Sequence, residues 1–208
     1  MAQHLPSRRS IGDVRQGLRR AIGRAGLRIA QTGPGGRLVG LACAHASALL
    51  PVQRVAETGG ALVFRHPRPE APGHLVIVPK AALPNLCALV AGDRIDAWLA
   101  LMAAARDAPS LGGGERVLTV NVGARQRVAQ LHAHLLPISA ARLLLAQVRR
   151  RVPVDLDSPA AMRAALADAT VALHRCDAGR YGSLVVRGFE AGGAAELLVC
   201  IAPHDGAR

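Results

Sequence analysis

Two imidazoles and an amide occupy alternate positions in Gln130-Leu131-His132-Ala133-His134-Leu135-Leu136-Pro137. Successive side chains of an extended strand point to opposite faces, so Gln130, His132 and His134 are expected on one face. An imidazole changes charge near neutral pH and carries two distinct ring nitrogens, which opens three kinds of chemistry. The two histidines can be a structural or surface pair. They can form a His-x-His metal half-site, although no Asp or Glu falls between Glu115 and Asp155 to complete the ligands. Or one ring can attack phosphorus, since a neutral imidazole is both a good nucleophile and a tolerable leaving group. Elsewhere Cys43 and His45 stand two apart, but no second Cys/His pair of zinc spacing lies nearby, so no metal is expected.

These residues need a rigid frame. Ala61-Leu62-Val63-Phe64 is a short apolar strand, followed by the proline-punctuated His66-Pro67-Arg68-Pro69-Glu70-Ala71-Pro72-Gly73. The run His74-Leu75-Val76-Ile77-Val78-Pro79 is rich in β-branched residues and predicts a second strand. Asp93 is placed to cap a helix reaching about Arg106, with Ile95, Trp98, Leu99 and Met102 on one face and Trp98 in the core. After Gly112-Gly113-Gly114 come Val117-Leu118-Thr119-Val120-Asn121 and Gln130 to Leu136, both strand-like. Strand pairs around one principal helix indicate an α+β layer with an antiparallel sheet. Helices are expected from Ala140 to Arg151 and, started by Ser158-Pro159, to His174. Ser183 to Val186 and Leu197 to Ile201 read as a terminal hairpin.

Gln130-Leu131-His132-Ala133-His134-Leu135-Leu136 resembles the histidine-triad (HIT) motif, His-φ-His-φ-His-φ-φ, with Gln in place of the first His. Upstream, Phe64 to Lys80 resembles the second signature of that family: an apolar strand, a Pro-rich turn, then His-φ-φ-φ-φ-Pro. Asn121-Val122-Gly123 stands where the family has Asn-x-Gly, and the likeness covers about 60–137. The resemblance implies an enzyme, a hydrolase or transferase that releases a nucleoside monophosphate from a phosphoanhydride or phosphoramidate through a nucleotidyl-histidine. It makes His132 the nucleophile and His134 the group that holds a phosphate oxygen or protonates the leaving group. A register two residues later would make His134 the nucleophile. Asn121, Arg125 and Arg127 become donors to the phosphate, Arg being suited by its planar fork. His74 becomes an orienter beneath the triad, and His66 takes the ribose-binding position where the family often has Asp or Asn. Gln130 can hydrogen-bond a neighbour but cannot exchange a proton. The resemblance also implies a homodimer. The Gln-Leu-His-x-His form and Gly179-Arg180-Tyr181-Gly182 are similar to the CDP-diacylglycerol pyrophosphatase branch. A nucleotide-binding protein that has lost catalysis is the remaining alternative.

Composition narrows the other classes. Of 208 residues, 26 are Lys or Arg and 14 Asp or Glu, a net charge of +12, with Lys80 the single lysine. Such Arg-for-Lys usage fits a GC-rich genome without any binding role. Half the residues are apolar, enough for a core, and aromatics make up 2 %, too few for the stacking platforms of single-strand nucleic-acid binders. Specific nucleic-acid recognition is therefore not expected; a nucleotide or nucleotide conjugate is. No apolar run reaches membrane-spanning length and no secretory signal is seen, so the cytoplasm is the expected location. Four scattered cysteines, Cys43, Cys87, Cys176 and Cys200, form no disulfide frame. The chain divides into a basic N-terminal helical segment and linker over 1–35, a HIT-like catalytic domain over 36–137, and a C-terminal extension over 138–208.

Overall fold

Short β-branched runs separated by Gly and Pro favour strands over helices here, and a computed structural model shows how they pair. It describes residues 35, 38–42, 52–110, 114–175, 182–190 and 194–201. The expected N-terminal helix, the Cys43–His45 pair, Cys176 and Gly179 to Tyr181 lie outside the described residues.

The first half contributes β1 (Arg54–Glu57), β2 (Ala61–Arg65) and β3 (Leu75–Pro79), then α1 (Leu86–Ala91) and α2 (Ile95–Asp107). Next come β4 (Arg116–Val122), a 3-10 turn at Gly123–Arg125 and β5 (Ala133–Pro137). The second half adds α3 (Arg142–Leu145), β6 (Val148–Asp155), α4 (Pro159–Arg175), β7 (Gly182–Arg187) and β8 (Ala194–Ile201). Among the described residues the fold is α+β: eight strands form one antiparallel sheet in the order β1-β2-β3-β5-β4-β7-β8-β6. No described helix is long and apolar enough to cross a membrane.

Alternation gives the sheet two unlike faces. One carries Leu75, Ile77, Ala133, Leu135, Leu118, Val120, Leu184 and Val199, packed in a single core with Trp98, Leu101 and Met102 of α2 and Met162, Leu166 and Leu173 of α4. Trp98 is the largest side chain buried there and is fully enclosed, as expected. Phe189 is fully buried in the same core. The other face holds two smaller apolar patches. Leu62, Val76 and Val78 lie under Val39 of the helical residues 38–42, and Val117, Leu136, Val185, Leu198 and Cys200 lie beside Leu144 and Leu145 of α3. Polar residues Thr119, Asn121, His134 and Ser183 occupy the same face, next to these patches.

Three sequence expectations need correction. Asp93 does not cap α2: its φ is +49° and Arg94 is the N-cap, with no side-chain bond. The reason is α1, capped by Asn85 Oδ1 accepting from Ala88 N–H at 2.8 Å, whose final turn consumes Gly92 to Arg94. Asp93 pairs instead with Arg163 Nε of α4 at 2.6 Å. The helix expected from Ala140 to Arg151 shrinks to α3, because Val148 to Asp155 form an edge strand against β8. In β6, Val152 packs against the main core and Val154 is buried in it, while Arg149, Arg150 and Arg151 are exposed; charged residues and Pro153 suit a strand with one free edge. The strand expected to begin at Gln130 begins at Ala133. By contrast α4 starts where Ser158-Pro159 predicts, with Ser158 Oγ accepting from Ala161 N–H at 3.2 Å.

A histidine relay as candidate active site

The loop before β5 is fixed by backbone-directed amides. Leu131 N–H donates to Leu83 O at 2.6 Å, and Gln130 Nε2 donates to Ala81 O at 2.9 Å and Pro79 O at 3.4 Å. Gln126 Nε2 donates to Pro84 O and to Val128 O. These bonds draw residues 126–131 out of the sheet ladder and onto the 79–84 segment, which is why β5 starts late. Gln130 is buried, and its side chain is committed to carbonyls rather than to the histidines. It reaches the site through its backbone, whose carbonyl lies 2.8 Å from His132 Nδ1.

Four rings come together at the start of β5. His132 and His134 meet edge to face with centroids 5.2 Å apart. His74, placed at the start of β3 by a Pro-rich turn closed at Gly73 with φ +81°, lies 5.2 Å from His134. His66 stacks on His74 with centroids 4.2 Å apart and lies 5.5 Å from His134. His132 and His134 and the upstream His66 and His74 thus form one cluster at the ends of β2, β3 and β5, while the Gln130 side chain, expected on the same face, turns away to the 79–81 carbonyls. His74 is buried, while His66, His132 and His134 keep some exposure.

Hydrogen bonds determine which nitrogens carry protons. Glu70 N–H donates to His74 Nδ1 at 3.1 Å, so the proton of neutral His74 sits on Nε2. That Nε2–H faces His134 Nδ1 at 3.0 Å and donates to it, which puts the proton of neutral His134 on Nε2. A carbonyl can only accept, so His132 Nδ1–H donates to Gln130 O and His132 Nε2 keeps a lone pair. One ring therefore offers a nucleophilic nitrogen, and its neighbour offers an N–H.

The electrostatics favour these neutral forms. Burial pushes His74 down to about 4 from its ordinary 6.5, helped by the charge of His66. Burial lowers His134 well below the usual range, and the nearby His132, His74 and His66 lower it further. His132 is lowered by burial too, an effect the Gln130 carbonyl partly offsets; burial likewise lowers His66, against the Arg68 carbonyl.

Nitrogens of His66, His74 and His134 lie within 4.8 Å of one another, close enough for a metal to be considered. A ring nitrogen binds an ion in its own ring plane, and the His66 and His74 rings are only 7° from parallel while stacked. Both cannot aim at one ion, and both nitrogens of His74 are already committed.

A second polar group lies on the same face. Asn121 is two residues from Thr119, the cross-strand partner of His134, and Asn121 itself faces Ser183 on β7. Ser183 Oγ donates to Asn121 Oδ1 at 2.9 Å and accepts from Arg125 Nη1 at 3.3 Å. Arg127 is exposed in the loop before β5 and makes no ion pair among the described residues. Sequence reading missed Ser183 and the Glu70 N–H. Ser183 left a faint signal, a lone hydroxyl in the apolar run Ser183-Leu184-Val185-Val186; a backbone donor leaves none.

Residues 49–140 match the family model described as HIT domain. An uncharacterized HIT-like protein of Synechocystis sp. is 36% identical over 90 residues, which span 42% of this chain and 79% of that protein. No solved structure matches the chain significantly. The matched segment includes His66, His74, Asn121, Arg125, Arg127, Gln130, His132 and His134, and ends before Ser183.

Proposed function

The chain belongs to the HIT-domain family, whose members include nucleotide-binding hydrolases and transferases, and within that range we propose a nucleotidyl-histidine mechanism for it. The supporting observation is the proton assignment: a lone pair on His132 Nε2 beside an N–H on His134 Nε2, both set by hydrogen bonds on the far sides of the rings. In the proposed reaction His132 Nε2 forms a bond to the α-phosphorus as the bond to the leaving group breaks and that group takes the electron pair. His134 Nε2–H donates to a phosphate oxygen or to the departing atom. The phosphorylated His132 ring becomes cationic, and the Gln130 carbonyl steadies its Nδ1–H. A cationic imidazole leaves readily when water, or a second acceptor, attacks phosphorus in the next step.

His74 acts through His134, holding its tautomer, and Gln130 acts through the loop it anchors. His66 stands at the ribose side, where one imidazole offers a single hydrogen bond in place of the two a carboxylate accepts. Residues 36–137 are the proposed catalytic unit, with 138–208 as an extension and a homodimer as the assembly.

The test is a substrate panel followed by phosphorus NMR: a nucleoside phosphoramidate, a dinucleoside polyphosphate and CDP-diacylglycerol. Release of a nucleoside monophosphate from at least one, lowered roughly 10³-fold or more in His132→Ala, is the expected result. Turnover only of the lipid-linked substrate would assign the chain to CDP-diacylglycerol hydrolysis. Unchanged turnover in His132→Ala would remove the mechanism.

A further inference from the structure

Ser183 lies outside the segment that the family model matches, on a strand contributed by the C-terminal half. It is fully buried beside the apolar run Leu184 to Val186, where an unpaired hydroxyl is costly. Its hydroxyl is used twice, donating to Asn121 Oδ1 and accepting one Nη1–H of Arg125. With Oδ1 turned to Ser183, the Asn121 NH2 group is directed elsewhere and has no partner among the described residues. Arg125 Nε and Nη2 have no hydrogen-bond partner among them either, and Arg125 makes no ion pair with a described carboxylate. Unpaired donors on a guanidinium and an amide, linked through one serine on the sheet face that also carries His134, suit the oxygens of a phosphoryl group.

We infer that Ser183 is a positioning residue for phosphate recognition, aligning the Asn121 amide and the Arg125 guanidinium as one anion-binding pair on the face that carries His134. The inference rests on the nucleotide reading above and deepens it by giving the C-terminal hairpin a part in the site. A merely structural serine would affect stability alone, whereas a positioning one affects the anionic part of the ligand selectively.

Calorimetric titration of the full chain with AMP, GMP, CMP and UMP, and with the matching neutral nucleosides, separates these roles without any turnover. Ser183→Ala is expected to weaken monophosphate binding about tenfold while leaving nucleoside binding within twofold; one lost charge-assisted hydrogen bond has this size. Ser183→Cys, close in volume but a poor hydrogen-bonding group, should match the alanine variant, and Ser183→Thr, which keeps the hydroxyl, should restore affinity. Thermal melting confirms that each variant is folded. Unchanged monophosphate affinity in folded Ser183→Ala or Ser183→Cys overturns the inference alone, as does equal loss for nucleosides and monophosphates. Absence of monophosphate binding by the wild-type chain overturns the nucleotide reading and this inference with it.

Discussion

The two faces of the sheet are built from the same strands and do opposite work. In β5, Ala133 and Leu135 enter the main core while His134, between them, joins the histidine cluster. In β4, Leu118 and Val120 are core residues, and Thr119 and Asn121 look the other way. One face is closed by α2 and α4 over the main apolar core; the other keeps rings and amides beside two small apolar patches. A two-residue period lets a strand of five residues serve the core and carry a ring of the histidine cluster at once. Rigidity on the helix-covered face then becomes positional accuracy on the histidine face.

That contrast can be broken from either side. The largest effect expected on the covered face is from Trp98→Ala, which empties the space of a fully buried ring and should cost about 3–5 kcal/mol of stability in urea unfolding. His132→Ala should show the reverse pattern, with activity lost and a far smaller shift of the unfolding midpoint than Trp98→Ala, since His132 keeps some exposure. If Trp98→Ala abolished turnover while leaving stability intact, the division of labour between the faces would be wrong.

Acid sharpens the comparison next. His74 is ordinarily half-charged near 6.5 and is held down to about 4 when folded. Between those values the unfolded chain binds more protons, so stability is fully present above about 6.5 and is lost as pH falls toward 4. For His74 alone the loss amounts to about 3 kcal/mol, and His134, lowered further, adds to it. Urea unfolding between neutral and acidic pH should show this slope. His74→Gln keeps an acceptor for Glu70 N–H and a donor for His134 but cannot titrate, so its slope should be flatter. An equal slope in that variant would mean the acid sensitivity arises elsewhere.

The smallest effect concerns the covering helix. Ser158→Ala removes the side-chain acceptor at the start of α4 and should cost about 1 kcal/mol, readable as a shifted urea midpoint. Turnover should be unaffected, because α4 packs on the face opposite the histidines.

Legibility in the sequence followed the same division. Strands β2, β3 and β4, helix α4 and the β7–β8 hairpin were readable because an apolar run or a helical stripe, with a clear Pro, Gly or Ser boundary, marks each. Asp93 misled because a capping residue and a left-handed turn residue look alike until α1, too short to announce itself, is known to end there. Residues 148–155 misled because three consecutive arginines fit a helix surface as well as an exposed edge strand, and pairing with β8 decided between them. His66, His74, His132 and His134 were readable as types, and their convergence depended on antiparallel pairing of β3 with β5. What could not be read was who bonds to whom: Gln130 to the 79–81 carbonyls, Glu70 N–H to His74, Ser183 to Asn121.

The proposed mechanism requires a covalent bond between His132 Nε2 and phosphorus. Rapid quenching at alkaline pH, which preserves phosphoramidates, followed by mass spectrometry of the intact chain and its peptides tests it most directly. The account predicts a mass increase of one nucleoside monophosphate, localised to His132 and absent from His132→Ala. Turnover with no adduct on any residue, or an adduct on His134 with His132 unmodified, would contradict it.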